Sequence, residues 1–257
     1  MKVPVFSIGN EKVDEVEVPR VFETPRRPDV IKKAVIAQQS HGFQPQGRDP
    51  KAGKRTTAES WGVGRGMSRV PRVKGSSRAA FGVSTVGGHQ AFPPTSKKRI
   101  RKEINKKERR LAIKSGIAAT SDRETVANRG HLVGAVEQLP IVVEDEVQSL
   151  AKTSEVRELF INLGIWPDVE RADRKKIRAG RGKTRGRRRK VGKGPLLVVS
   201  EDLGIVKAAS NLPGVDVVKL PDLNAELLAP GAHPGRLVVW SRSAFSSLDE
   251  VWGGNAQ

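Results

Sequence analysis

Seven cations fall within ten residues in "RGKTRGRRRK": Arg181, Lys183, Arg185, Arg187, Arg188, Arg189 and Lys190. Guanidinium and ammonium groups donate charge-assisted hydrogen bonds to phosphate oxygens. Each phosphate they neutralise releases counterions. From Arg171 to Lys193, thirteen Lys/Arg stand against one acid, Asp173. The stretch contains Gly182-Lys183-Thr184, the tail of a triphosphate-binding loop. Ile177 stands where that loop needs glycine, and the stretch follows a helical pattern instead of a strand. A clamp on nucleic-acid backbone therefore fits better than a nucleotide site or a merely solvated loop.

Two further segments offer the same chemistry. Between Gly42 and Lys98, eleven Lys/Arg face only Asp49 and Glu59. Its candidates for RNA contact are Arg48, Lys51, Lys54, Arg55, Arg65, Arg69, Arg72, Lys74, Arg78, Lys97 and Lys98. Trp61 could stack on a base. "GVGRGM" (Gly62–Met67) falls short of a dinucleotide fingerprint, because Met67 replaces the last glycine and neither strand nor helix flanks it. A disordered basic tether remains the alternative here. The second segment, "KKRIRKEINKKERRLAIKSG", carries ten Lys/Arg against Glu103 and Glu108. It adds Arg99, Arg101, Lys106, Lys107, Arg109 and Arg110 to the candidates, the alternative being a solvated helix face.

Other chemistries find little support. His41, His89, His131 and His233 have no partner at ligand spacing, and the chain has no cysteine, so no metal site is expected. Ser200, Ser241 and Ser243 end or follow strands without a recognisable base, so no catalytic residue is assigned. No cofactor is expected, because no Gly-rich turn follows a strand. No run of eighteen apolar residues occurs, so no membrane partner is expected, and the amino terminus lacks a leader pattern. The chain reads as cytoplasmic. The net charge of +19 points to a polyanion. Nucleic acid is the first choice: the hypotheses are a structural RNA-binding protein and, as alternatives, a nucleoid DNA-binding protein or an RNA-acting enzyme with a nucleotide cofactor.

Elements must position these cations. Alternation in Lys2–Ile8 and Val13–Val18 around Gly9-Asn10 predicts a hairpin. A helix runs from Pro28 to Gly42, and a basic helix starts at Lys97. Gln138–Asp145 reads as a strand, residues 145–164 as one helix and 166–180 as another. Beyond Pro195, three strand–helix pairs alternate: "PLLVVS" with residues 201–214, "VDVVKL" with 222–231, and "RLVVWS" with a terminal helix over 243–254. Near-continuous apolar strands of this kind imply a parallel sheet buried on both faces. The fold class is thus α/β, a mostly parallel sheet with helices on both faces, an N-terminal hairpin and a long extended basic loop. One domain is expected over 1–257, with residues 43–96 inserted as an RNA-penetrating loop and 180–194 as a basic loop. The carboxyl part from Pro195 is acidic, four Lys/Arg against seven Asp/Glu. The positive charge is therefore confined to the loops and one helix.

The order of these pieces, with "SWGVGRGMSRVPRVKGSSRAAF", "GGHQAFPPT", "INKKERRLAIKSGIAAT", "RADRKKIRAGRGKTRGRRRK" and "DLNAELLAPGAHPGRLVVW", resembles the universal L-four family of large-subunit ribosomal proteins, in its archaeal and eukaryotic branch. The resemblance implies an RNA-binding, non-catalytic protein of the ribosome that supports subunit assembly. Its implied partners are large-subunit ribosomal RNA, neighbouring ribosomal proteins and the nascent peptide in the exit tunnel. The family's loop tip maps onto Trp61 to about Lys74, so Trp61, Met67, Arg69 and Arg72 become candidates for the tunnel side. His89 and Gln90 stand where the family often has more basic or aromatic residues. A segment this poor in core-forming residues is expected to be disordered in the free protein and to order on RNA.

Overall fold

A computed structural model describes residues 1–253 of the 257. Gly254, the end of the expected terminal helix, lies outside the described residues. The chain divides into two compact units, residues 1–39 with 103–257, and residues 40–102. In order it forms β1 (Lys2–Phe6), β2 (Lys12–Glu17), α1 (Pro28–His41), α2 (Lys106–Ser121), α3 (Arg123–Asn128), β3 (Ile141–Val143), α4 (Thr153–Asn162), α5 (Trp166–Asp173), β4 (Lys176–Ile177), β5 (Arg189–Lys190), β6 (Leu196–Val199), α6 (Ile205–Ser210), β7 (Asp216–Lys219), α7 (Ala225–Leu228), β8 (Val238–Ser241) and α8 (Arg242–Ser246).

The first unit is built on a six-stranded sheet in the order β2-β1-β3-β8-β6-β7. Only β1 and β2 are antiparallel; every other pairing is parallel. The hairpin turn closes where Asn10 takes a positive φ of 68° and Ser7 N donates to Glu11 O at 2.8 Å. Strand side chains alternate between the two faces. Val3, Val5, Val142, Leu196, Val198, Val238 and Trp240 join one core with α1, α2, α7 and α8. Phe6, Ile141, Val143, Leu197, Val199 and Val239 join the other with α3, α4, α5 and α6. β6 and β8 are buried along their whole length, which is why they read as unbroken apolar runs. Side-chain caps fix several helix starts. Asp122 accepts from Thr125 N, Asn224 from Leu227 N, and Ser241 from Ala244 N.

Four helix expectations need correction. The basic helix begins at Lys106, not Lys97, because Asn105 is extended (φ −63°, ψ 144°) and breaks the turn. The helix over 145–164 is two elements, a 3₁₀ turn at Asp145–Ser149 and α4. Leu150 and Lys152 between them are extended, and Glu155 Oε2 accepts from Lys152 N to start α4 anew. The helix over 166–180 stops at Asp173, and the chain then enters the β4–β5 ribbon instead of a plain loop. The terminal helix divides into α8 and a wide turn at Asp249–Gly253.

Candidate nucleic-acid interface

The ribbon carries the densest charge. β4 and β5 pair antiparallel, Lys176 opposite Lys190 and Ile177 opposite Arg189. Arg178 N donates to Arg188 O at 2.9 Å and Arg187 N to Gly182 O at 3.1 Å, which closes a 3₁₀ turn at Arg181–Arg185. Gly180 (φ 78°) and Gly186 (φ 77°) bracket that turn in a backbone region closed to most residues. The would-be triphosphate motif is thus the tip of a ribbon. Arg181, Lys183, Arg185, Arg187, Arg188, Arg189 and Lys190 are all exposed. Among the described residues, ion pairs occur only at the flanks, Lys175 with Asp173 at 3.2 Å and Lys193 with Asp216 at 3.0 Å. Residues 176–192 contain no acid at all. Lys176 and Arg178 are exposed on the same ribbon and were missed from sequence, since a helix was expected there. Gly180 and Gly182, two residues apart, and the absence of any apolar stripe after Ala172 were the available signals.

Buried charges hold the base of this ribbon. Arg171 Nη2 donates to Lys193 O at 2.7 Å, and its Nε donates to Asp168 Oδ1 at 2.8 Å. Asp168 is fully buried and also accepts from Leu132 N and from His131 Nδ1, both within 2.9 Å. Burial alone would raise the Asp168 pKa, but His131 and Arg171 outweigh it and hold the carboxylate below its usual range. Burial pushes His131 down, against the pull of Asp168, so its ring is neutral and its Nδ1 carries the proton for the carboxylate. The ring's structural role agrees with the absence of any ligand partner in sequence. On the other side of the ribbon's root, Arg236 is fully buried. It donates to Gly194 O at 3.0 Å, Leu227 O at 3.0 Å and Asp216 Oδ2 at 2.6 Å, with longer bonds to Pro195 O and Gly214 O. Gly214 takes φ 72°, and a Cβ there would sit 2.7 Å from Gly194 N, so the two segments meet backbone to backbone.

On α2, Lys106, Lys107, Arg109 and Arg110 are exposed, while Ala112, Ile113, Gly116 and Ile117 are buried. Glu108, the acid of that turn, is held by Lys33 at 2.8 Å, whose hydrogen bond lowers its pKa. The outward face of the first turns is therefore cationic.

The second unit has its own internal order. Lys102 N donates to Ser40 Oγ at 2.9 Å and Arg48 N to Pro94 O at 3.1 Å. Gln90 Oε1 accepts from Arg48 Nη1, and His89 bonds Phe81 O while its ring lies 5.1 Å from the Phe81 ring. These two residues thus close the segment on itself. At Gly53 a Cβ would lie 2.5 Å from the Gly88 and His89 backbone, so the two arms run in contact there. This order departs from the expected disorder. Gly and small residues let backbone meet backbone without an apolar core. Arg55 pairs with Asp49 at 2.9 Å. Lys51, Lys54, Arg65, Arg69, Lys74, Arg78, Lys97, Lys98, Arg99 and Arg101 are exposed, and Met67 is 44% exposed. Trp61 and Arg72 are only half exposed.

The carboxyl ends of parallel strands, where α/β proteins usually hold ligands, are filled by the chain itself. Asp145 Oδ1 accepts from Gln148 Nε2, Ser243 N and Ser243 Oγ, all within 2.9 Å. Gln148 Oε1 accepts from Glu201 N at 2.9 Å. Ser241 and Ser243 are therefore members of a closed network and not nucleophiles. Among the described residues no group of three or more His, Asp or Glu is placed to hold a metal ion. Nor is any described helix long and apolar enough to cross a membrane.

Fold and surface together define a class: an α/β protein whose strand-end crevice is closed and whose cations are displayed on a ribbon, a helix and a long inserted segment. Residues 16–251 match the family described as ribosomal protein L4/L1, and the chain belongs to that family. It is similar to the large ribosomal subunit protein uL4 of Methanosphaera stadtmanae, 51% identical over 99% of this chain and 98% of the relative. The uL4 proteins of Methanopyrus kandleri (51% identical, 98% of this chain and 100% of the relative) and Archaeoglobus fulgidus (50%, 97% and 99%) are similar to the same extent. Membership makes this a structural protein of the large ribosomal subunit, of archaeal type, and not an enzyme.

Proposed function

We propose that this protein binds large-subunit ribosomal RNA in the cytoplasmic ribosome through three cationic elements: the ribbon at 176–190, the start of α2 and the inserted segment. The inserted segment reaches the wall of the peptide exit tunnel and meets the nascent peptide there, and the protein supports subunit assembly beside neighbouring ribosomal proteins. One observation carries the reading. The ribbon presents nine exposed cations, Lys176 and Arg178 among them, across residues that contain no acid, on a base held by the hydrogen bonds of Arg171 and the buried Arg236. Such a surface repels itself until a polyanion covers it. On the tunnel side, Met67 and Arg69 are the exposed members of the four candidates, in keeping with a contact at the tip.

Deleting Gly64–Ser84 tests this. The α/β unit should fold unchanged, judged by circular dichroism and thermal melting. In cells whose sole copy carries the deletion, gradient sedimentation should show immature large subunits accumulating. Normal subunit profiles and normal translation would remove the role assigned to the segment.

A further inference from the structure

Within the inserted segment the half-buried residues are not scattered. Residues 62–70 and 74–78 are exposed throughout, whereas Ala58, Trp61, Pro71, Arg72, Val73, Ala79 and Ala80 are half-buried. The backbone explains the pattern. Glu59 and Arg72 exchange both N–H to O bonds, at 3.1 and 3.0 Å. On its other side the same short stretch bonds to residues 78–80: Val73 N donates to Arg78 O at 3.1 Å and Ala80 N to Pro71 O at 2.9 Å. Arg72 is the residue that bridges both ways, to Glu59 and to Ala79. Its side chain repeats the arrangement. One terminal nitrogen donates to Ser77 O, and the other to Ser68 Oγ at 3.1 Å. Its guanidinium lies 5.8 Å from the centre of the Trp61 ring, and that of Arg65 lies 5.6 Å from the same ring.

We infer that Arg72 is a positioning residue: it folds the tip before any RNA is met, and residues 62–70, with Arg65, Met67 and Arg69, are the surface so presented. A guanidinium can reach two acceptors in different turns and lie flat on an indole at once. An ammonium has one nitrogen and no plane, so lysine keeps the charge and loses the arrangement. Arg69 has no side-chain partner among the described residues and is exposed, so its charge is free for phosphate. The ligand of this surface rests on the RNA reading above; the folding of the tip does not.

Amide hydrogen exchange of the free full-length protein tests the folding directly, with peptides covering 58–60, 71–73 and 78–80. Peptides from β6 and β8 report whether the α/β unit is intact. Wild-type tip peptides should be protected. Arg72→Lys and Arg72→Ala should both lose that protection, and Arg69→Ala should keep it. RNA affinity, measured on a large-subunit ribosomal RNA fragment over a salt series, separates positioning from charge. Arg72→Lys should weaken binding by about tenfold, since ordering several residues now falls on the binding step, with an unchanged salt slope. Arg69→Ala should lower the slope by about 0.7–0.9. Two results would overturn the inference: a wild-type tip that exchanges as fast as unstructured chain, or an Arg72→Lys variant as protected as wild type. Should RNA not bind at all, the exchange results still decide the inference.

Discussion

Replacing Arg187, Arg188 and Arg189 together with glutamine removes three charges from the β4–β5 ribbon and little else. None of these side chains makes a hydrogen bond or ion pair among the described residues, and all three are exposed. The bonds that build the ribbon are main-chain, Arg178 N to Arg188 O and Arg187 N to Gly182 O, and survive the change. Stability should therefore move by no more than about 0.5 kcal/mol. If each side chain neutralises one phosphate, the slope of log K against log salt becomes shallower by about 2.7 on duplex RNA or ~2.1 on single strands. Electrostatic contributions vanish near 1 M salt, so one decade lower, at 0.1 M, binding should fall by about 100- to 500-fold. If only two of the three reach phosphate, the loss is still about 25- to 60-fold. Fluorescence anisotropy with a labelled ribosomal RNA fragment, over a salt series, measures slope and affinity together. A triple variant that melts like wild type yet keeps its slope and affinity would refute the assignment of the ribbon to RNA.

Arg236→Ala tests the base of the ribbon. It takes the side-chain donor from Gly194 O and Leu227 O and empties the site, whereas Pro195 O and Gly214 O keep main-chain donors and Asp216 keeps Lys193, so urea titration should show a loss of about 3 kcal/mol. The pH dependence of stability should carry His131 and Asp168 in separate windows. Folding depresses the His131 pKa, so protonation favours the unfolded chain and stability falls as pH drops below about 6.5. Asp168 is also depressed, so its contribution is complete above about pH 3.9 and is lost only as pH falls further. His131→Gln, which can still donate to Asp168, should flatten the urea midpoint between pH 7 and 5 and leave the acid limb in place. An unchanged slope between pH 7 and 5 would show that the ring is not held neutral.

The parallel strands were legible because burial on both faces leaves one mark, an apolar run such as Leu196–Val199. The hairpin was legible because β1 sets the half-buried Pro4 between the buried Val3 and Val5, and Gly9-Asn10 marks the turn, where Asn10 takes a positive φ. Other elements left no such mark. Charge density is the same on both sides of Asn105, so nothing in the composition from Lys97 to Lys114 shows where α2 starts. Two-residue strands cannot show a period, and Ile177, the lone apolar residue of β4, is exposed. The cations of the ribbon were nonetheless found, since charge needs no period to be counted. The Trp61–Arg72 contact spans eleven residues of irregular chain, and no spacing rule reaches across such a path. The Asp145–Gln148–Ser243 network joins residues nearly a hundred positions apart. Sequence showed only that no Gly-rich turn follows these strands; the side-chain network at their ends is a finding of the structure.

Donor geometry divides the cations of this chain by task. Arg171 and Arg236 face carbonyl oxygens as well as carboxylates, in directions set by backbone that has already turned away from its own ladder. Arg72 does the same at the tip of the inserted segment with Ser77 O. In each case the acceptors lie at an angle that one nitrogen could not cover, and the planar fork covers it. The exposed ribbon, where phosphates would arrive from solvent at no fixed angle, mixes lysine with arginine freely. Arg→Lys substitution therefore sorts the two groups without altering charge. It should be nearly silent at Arg187 or Arg188 in both melting and RNA affinity, and should cost stability at Arg171 and Arg236. Equal effects at all four positions would mean that charge alone, and not the fork, is what Arg171 and Arg236 supply.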